Sequence, residues 1–176
     1  MNEVYKNIIT ENDPLMDETI QLACESAKNG GGPFAAILII KDPKTGEILK
    51  KWRASNSVTK DFDPTAHAEV NVIRKACRDL SLFHLNEIKE GELILYSSCE
   101  PCPMCYAAIS WAHIPNLIFA GTRFDAAEPG VNFSDQEIYD QLELPYDERK
   151  VNVKKALCER AKEPFNLWKQ IDKTHY

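Results

Sequence analysis

The chain has 176 residues, 44% apolar and 27% charged, with a net charge of −6, which is enough apolar content for one domain with its own core and too little length for two. No run of 18 or more apolar residues occurs, and "MNEVYKNIITENDP" lacks the basic-then-apolar order of a secretory signal, so neither membrane insertion nor export is expected and the location expected is cytoplasmic. Residues 149–176 hold eight Lys and Arg against three acids, a basic tail on an acidic body that suits either phosphate or acidic surface of its own or a neighbouring subunit.

In chain order, Asp13-Pro14 opens a helical pattern with Met16, Ile20, Ala23 and Ala27 on one face, closed by Asn29-Gly30-Gly31-Gly32. "FAAILII" (34–40) is a continuous apolar run suited to a buried strand, and "KDPKTGE" is a turn leading into a hairpin partner, "ILKKWRASNS". "VTKDFDPT" reads as loop. Residues 65–80 place Val70, Ile73, Ala76 and Leu80 at helical spacing, with Pro64 and Thr65 as start signals. "ELILYSS" (92–98) is a second buried strand, "PMCYAAISWAHI" an apolar helix and "LIFAG" (117–121) a further strand. An acidic segment (125–148) and "PFNLWKQIDKTHY" close the chain. Strands alternating with helices after an initial hairpin predict a three-layer α/β/α sandwich with a mixed central sheet. No repeat, low-complexity tract or linker marks a boundary, so one domain over 1–176 is expected, with about 149–176 as a tail segment.

Six cysteines in a reducing compartment point to burial, metal or nucleophilic chemistry before disulfides. Cys24, Cys77 and Cys158 stand alone at apolar positions of helix-like patterns, where plain burial is the expectation. The run Cys99-x-x-Cys102-x-x-Cys105 lacks the fourth cysteine and following proline of an iron–sulfur motif, since Ile109 holds that place. A closed structural zinc site completed by a histidine remains open. A third reading joins the pair Cys102/Cys105 to "HAE" at 67–69. Both stretches lie where a helix begins, and a helix N-terminus favours thiolate. His67, Cys102 and Cys105 then give three zinc ligands and leave a fourth position for water. Glu69 is poorly placed to share that metal with His67, because residues two apart on a helix point in different directions. A carboxylate beside the metal but not bound to it serves as general acid and base. The pattern His67-Ala68-Glu69 with Pro101-Cys102-Pro103-Met104-Cys105 matches the H-x-E…P-C-x-x-C signature of zinc-dependent nucleobase deaminases. Cys99 falls outside it, and burial at a strand end is its expected role.

"GGPFAAI", "DPTAHAEVNVIRKAC", "SSCEPCPMC" and "DAAEPG" together resemble the cytidine deaminase-like superfamily, and within it the bacterial guanine deaminases, over nearly the whole chain. The resemblance implies a zinc hydrolase of purine metabolism that converts guanine to xanthine and ammonia, working as a homodimer whose subunits exchange C-terminal segments. It implies zinc on His67, Cys102 and Cys105, proton transfer by Glu69, and a base-edge hydrogen bond from Asn56. It implies purine packing by Phe34 and Trp111, and recognition by Asp125 and Tyr176. Each has an ordinary alternative: Phe34 and Trp111 as core, Asn56 as a turn cap, Asp125 as a helix start. Ala35 stands where the family has Gly, which narrows the pocket. Rival readings are another aminated base or nucleoside (guanosine, adenine, cytosine), a tRNA adenosine deaminase, and a non-catalytic zinc-stabilised module. A pI near 5.3 argues against nucleic acid as the partner. Phe165, Trp168 and Ile171 at helical spacing give the tail an apolar edge that brings His175 and Tyr176 to a pocket.

Overall fold

Strand β1 (Ala35–Lys41) sets the layering, because its apolar run has to be covered on both faces. Ala36, Leu38 and Ile40 point into one core with Trp52, Ala68, Val72, Ile73, Ala76, Leu93, Leu95 and Ile109, whereas Ile37 and Ile39 point into a second with Ile94 and Tyr96. This is the period-two alternation of a pleated strand. A computed structural model of the chain describes residues 3–171. Helix α1 (Pro14–Lys28) covers the second core, and α3 (Ala68–Leu80) and α4 (Pro103–Trp111) cover the first.

The sheet runs β2 (Ile48–Ser55), β1, β3 (Glu92–Cys99), β4 (Asn116–Gly121). Strand β1 is antiparallel to both neighbours, and β3 and β4 are parallel, joined by the α4 crossover. The expected three layers and mixed sheet are present. Register pairs Ala35 with Ser55, Ala36 with Ser97 and Cys99 with Gly121. The start of β1 and the ends of β2, β3 and β4 therefore share one end of the sheet, where α3 and α4 also begin.

The chain divides into two compact units, Met1–Ser134 and Asp135–Tyr176. The first holds the sheet, both cores, a one-turn helix α2 (Val58–Asp61) and α5 (Arg123–Ala126). The second contains α6 (Gln136–Glu143) and α7 (Glu163–Gln170), and no residue of 135–171 is buried. No helix among the described residues is long and apolar enough to cross a membrane.

Several expectations are corrected. The stretch read as loop contains α2, which starts when Asn56 Oδ1 accepts from Val58 N (3.2 Å) and stops at Phe62 with φ of 52°. Helix α3 begins at Ala68 rather than 65, because Asp63 Oδ1 accepts from both the N–H and the hydroxyl of Thr65 (2.7 Å each) and holds that residue in a turn. On α1, Ile20 is 38% exposed and Thr19 is the fully buried residue, its hydroxyl donating to Leu15 O (2.7 Å). Cys24 and Cys158 are exposed rather than buried, and Cys77 is half-buried against the core.

Candidate metal and catalytic site

At the shared sheet end the two helix starts meet. His67 and Cys102 are the N-caps of α3 and α4, and neither makes the side-chain bond to its own helix that a cap usually supplies. The imidazole and thiol are turned toward each other: Cys102 Sγ lies 3.6 Å and Cys105 Sγ 3.5 Å from His67 Nδ1. Cys105 follows Cys102 by three residues, which puts both sulfurs on one face of the first turn. One potential ligand atom from each of the three residues lies within 4.8 Å of the others.

This donor set fits zinc. Tetrahedral bonds of ~2.3 Å to sulfur and ~2.0 Å to nitrogen separate the two donors by about 3.5 Å, matching the 3.5 and 3.6 Å seen here. The protonation pattern fits as well. Cys102 is pushed down to about 4, by the hydrogen bond from Cys105 first and by His67 after it. Cys105 is pushed up by the same bond and by burial, and His67 is raised by its bond to Cys102. These directions favour a thiolate at Cys102, and a bound dication would favour loss of the remaining thiol proton.

Glu69, one residue into α3, is only 6% exposed. Its Oε1 accepts from Ser97 Oγ (3.1 Å) and its Oε2 from the Cys105 thiol (3.4 Å), so the carboxyl borders the cluster. Burial raises its pKa. A half-buried Cys99 donates to Thr122 O (3.5 Å) with its thiol pushed up to about 12, first by burial.

The other named residues are distributed unevenly. Phe34 and Asn56 flank the start of β1 and the end of β2, with Asn56 N donating to Phe34 O (3.0 Å). Asn56 lies so close to the glycine turn that a Cβ on Gly32 would sit 3.0 Å from its Cγ. Its Oδ1 is engaged in the turn to Val58, as the ordinary alternative has it. Phe34 meets Phe133 edge-to-face at 5.0 Å. Ala35 is fully buried, and its N–H donates to Ser98 Oγ (3.0 Å). Trp111 is 66% exposed at the far end of α4, about 9 Å along the axis from Cys105. Asp125 completes a capping box with Thr122, accepting from its N–H (2.6 Å) and hydroxyl (2.7 Å), which holds the carboxyl below its usual range. Tyr176 and His175 lie outside the described residues. Ser97 and Phe133 carry little signal in the sequence: a buried serine near a strand's end, facing a helix start, is a weak signal, and Phe133 lies in a segment without periodicity.

Elsewhere, a cleft of about 520 Å³ is lined by Arg53, Asp61, Asp63, Arg74, Lys75 and Arg78, among others. Arg74 is paired with Asp63 (3.7 Å) and Arg53 with Glu18 (3.3 Å), so much of its basic charge is met internally.

The model of the cytidine and deoxycytidylate deaminase zinc-binding region matches residues 9–121. The chain is 39% identical to the guanine deaminase of Bacillus subtilis strain 168 over 90% of its own length and 94% of that protein. The solved structure of a B. subtilis guanine deaminase superposes with a TM-score of 0.80 at 36% identity, covering 95% of this chain and 99% of that one. The tRNA-specific adenosine deaminase of Aquifex aeolicus is 38% identical over 57% of this chain and 62% of its own. With the paired helix starts, the ligand trio and the buried carboxyl, these matches establish that the chain belongs to the cytidine and deoxycytidylate deaminase family and uses zinc as its cofactor.

Proposed function

We propose that this protein hydrolyses guanine to xanthine and ammonia. The observation that carries the reaction type is Glu69, a buried carboxyl beside a His/Cys/Cys trio but outside it. The extent of the likeness to guanine deaminase, 90% of this chain, supports the substrate. His67, Cys102 and Cys105 hold the zinc, which when bound supplies Lewis acidity that brings the pKa of a water down toward neutrality. Glu69 takes the proton of the water that attacks the ring carbon bearing the amine. It then passes a proton to the adjacent ring nitrogen and, in a second transfer, helps the amine leave as ammonia. The Ser97 hydroxyl, donating to Oε1, fixes which oxygen faces the substrate. Asn56 offers its amide to the base edge and Phe34 its ring face. Trp111, Asp125 and Tyr176 are assigned to purine packing and recognition on the resemblance alone. The enzyme acts in the cytoplasm in purine breakdown, as a homodimer exchanging its C-terminal segments. Support for that assembly comes from residues 149–171, none buried, with Val151, Leu157, Phe165 and Leu167 all more than 60% exposed.

Ammonia release from guanine, guanosine, adenine and cytosine, with zinc counted per chain, tests this reading. Guanine is the fastest substrate; a higher rate on guanosine overturns the substrate, and no release at one zinc per chain overturns the enzyme.

A further inference from the structure

Glu100 stands between β3 and the ligand-bearing turn, and its hydrogen bonds tie that turn to distant parts of the first unit. Its N–H donates to Gly121 O (2.7 Å) at the end of β4. Its Oε2 accepts from Arg123 N (3.0 Å), the first residue of α5, and from the hydroxyl of Tyr5 (2.5 Å), 95 residues away. Tyr5 lies in a single 3-10 turn, Glu3–Tyr5, and its ring is set by Phe119 and Phe124 at centroid distances of 6.4 and 6.3 Å. Cys99 Sγ adds its bond to Thr122 O. Residues 99 and 100 are thus held from two sides immediately before Pro101, which restricts the backbone, and Cys102.

We propose that Tyr5 and Glu100 form a clamp that positions Cys102, so that the N-terminal segment governs how tightly zinc is retained. This rests on the zinc reading above. Cys102 gains no cap bond that would hold its side chain on α4, and its place opposite His67 follows from the path of residues 99–102. Metal–ligand distances tolerate only about ±0.2 Å, so a slack turn weakens a ligand without unfolding the protein. Partners that orient ligands typically change metal affinity by about 10- to 100-fold when removed. A tie that is merely structural lowers melting temperature and leaves metal kinetics alone.

The test uses the zinc-loaded full chain and an excess of a chromogenic chelator. Tyr5→Phe removes one hydroxyl and keeps the ring on Phe119 and Phe124; Glu100→Ala removes the acceptor, and Glu100→Gln retains an oxygen. Tyr96→Phe is the matched control, since the Tyr96 hydroxyl donates to Asp13 Oδ2 (2.8 Å) and that side chain packs in the other core. Tyr5→Phe and Glu100→Ala release zinc about tenfold faster or more, Glu100→Gln falls between, and Tyr96→Phe matches the parent chain. Cobalt-substituted Tyr5→Phe shows altered ligand-field bands. Zinc release within twofold of the parent in Tyr5→Phe, or equal acceleration in Tyr96→Phe, overturns the clamp. A parent chain that holds no zinc overturns the metal reading with it, whereas unchanged release at one zinc per chain overturns the clamp alone.

Discussion

The unit Met1–Ser134 and the unit Asp135–Tyr176 contain amphipathic helices alike, yet they solve burial differently. In the first, α3 places Ala68, Val72 and Ala76 fully out of solvent against the sheet, and α1 is capped by Asp13 Oδ1 accepting from Leu15 N (2.9 Å). In the second, Phe165, Leu167 and Trp168 on α7 are 68%, 62% and 41% exposed, and neither α6 nor α7 has a side-chain cap bond. An amphipathic pattern specifies that a face exists; only the tertiary partner decides whether that face contributes stability. Among the described residues, the first unit buries its apolar faces and holds the candidate chemistry, and the second leaves its apolar residues exposed.

The largest effect that tests this division is on chemistry. Glu69→Gln keeps size and one acceptor oxygen for Ser97 but cannot transfer a proton, so turnover of guanine falls on the order of 10²–10⁴, roughly 3–5 kcal/mol in barrier, with zinc still bound. Ammonia release per bound zinc measures it. Loss of metal with normal turnover per zinc makes Glu69 a ligand and removes its assigned role.

Next is the core. Leu38 is fully buried at the centre of β1, and Leu38→Ala destabilises the folded state by about 2–5 kcal/mol, read from urea denaturation. A cost below 1 kcal/mol places the packing of the first unit in doubt. Smaller again is Asp13→Ala, which removes both the α1 cap and the acceptor for Tyr96, at about 1–2 kcal/mol in the same assay.

Such contrasts explain what the sequence revealed. "FAAILII" was readable as a doubly covered strand because burial on both faces forbids polar alternation. The zinc trio was readable because a C-x-x-C pair at a helix start and a distant histidine have few other uses. What escaped was decided by tertiary pairings that no motif marks or by short polar chemistry. Glu69 and Ser97 meet from 28 residues apart, a pairing fixed by α3 packing on the sheet. Thr19 displaced Ile20 from the buried side of α1 because its hydroxyl is satisfied by Leu15 O, so burying it costs little. Cys24 and Cys158 occupy apolar-looking positions that are exposed, which periodicity cannot distinguish from core. Asp125 shows the same limit from the polar side: its carboxyl is engaged at the start of α5, a local use that a sequence motif does not separate from ligand recognition.

The smallest expected effect is the sharpest test of the comparison. Leu167→Ala makes the chemical change of Leu38→Ala on α7, where 62% of the residue is exposed and both residue types favour helix. With little burial to lose and no cavity to leave, the change in unfolding free energy stays within about 0.5 kcal/mol in dilute protein, measured by urea denaturation beside Leu38→Ala. A loss of 2 kcal/mol or more there means that the chain itself buries α7 in solution, and the two units no longer differ. If the same substitution weakens self-association as protein concentration rises, in sedimentation equilibrium, the missing partner of this face is a second copy. The proposed homodimer requires that result, because an apolar surface gains its roughly 25 cal/mol per Å² only when something covers it.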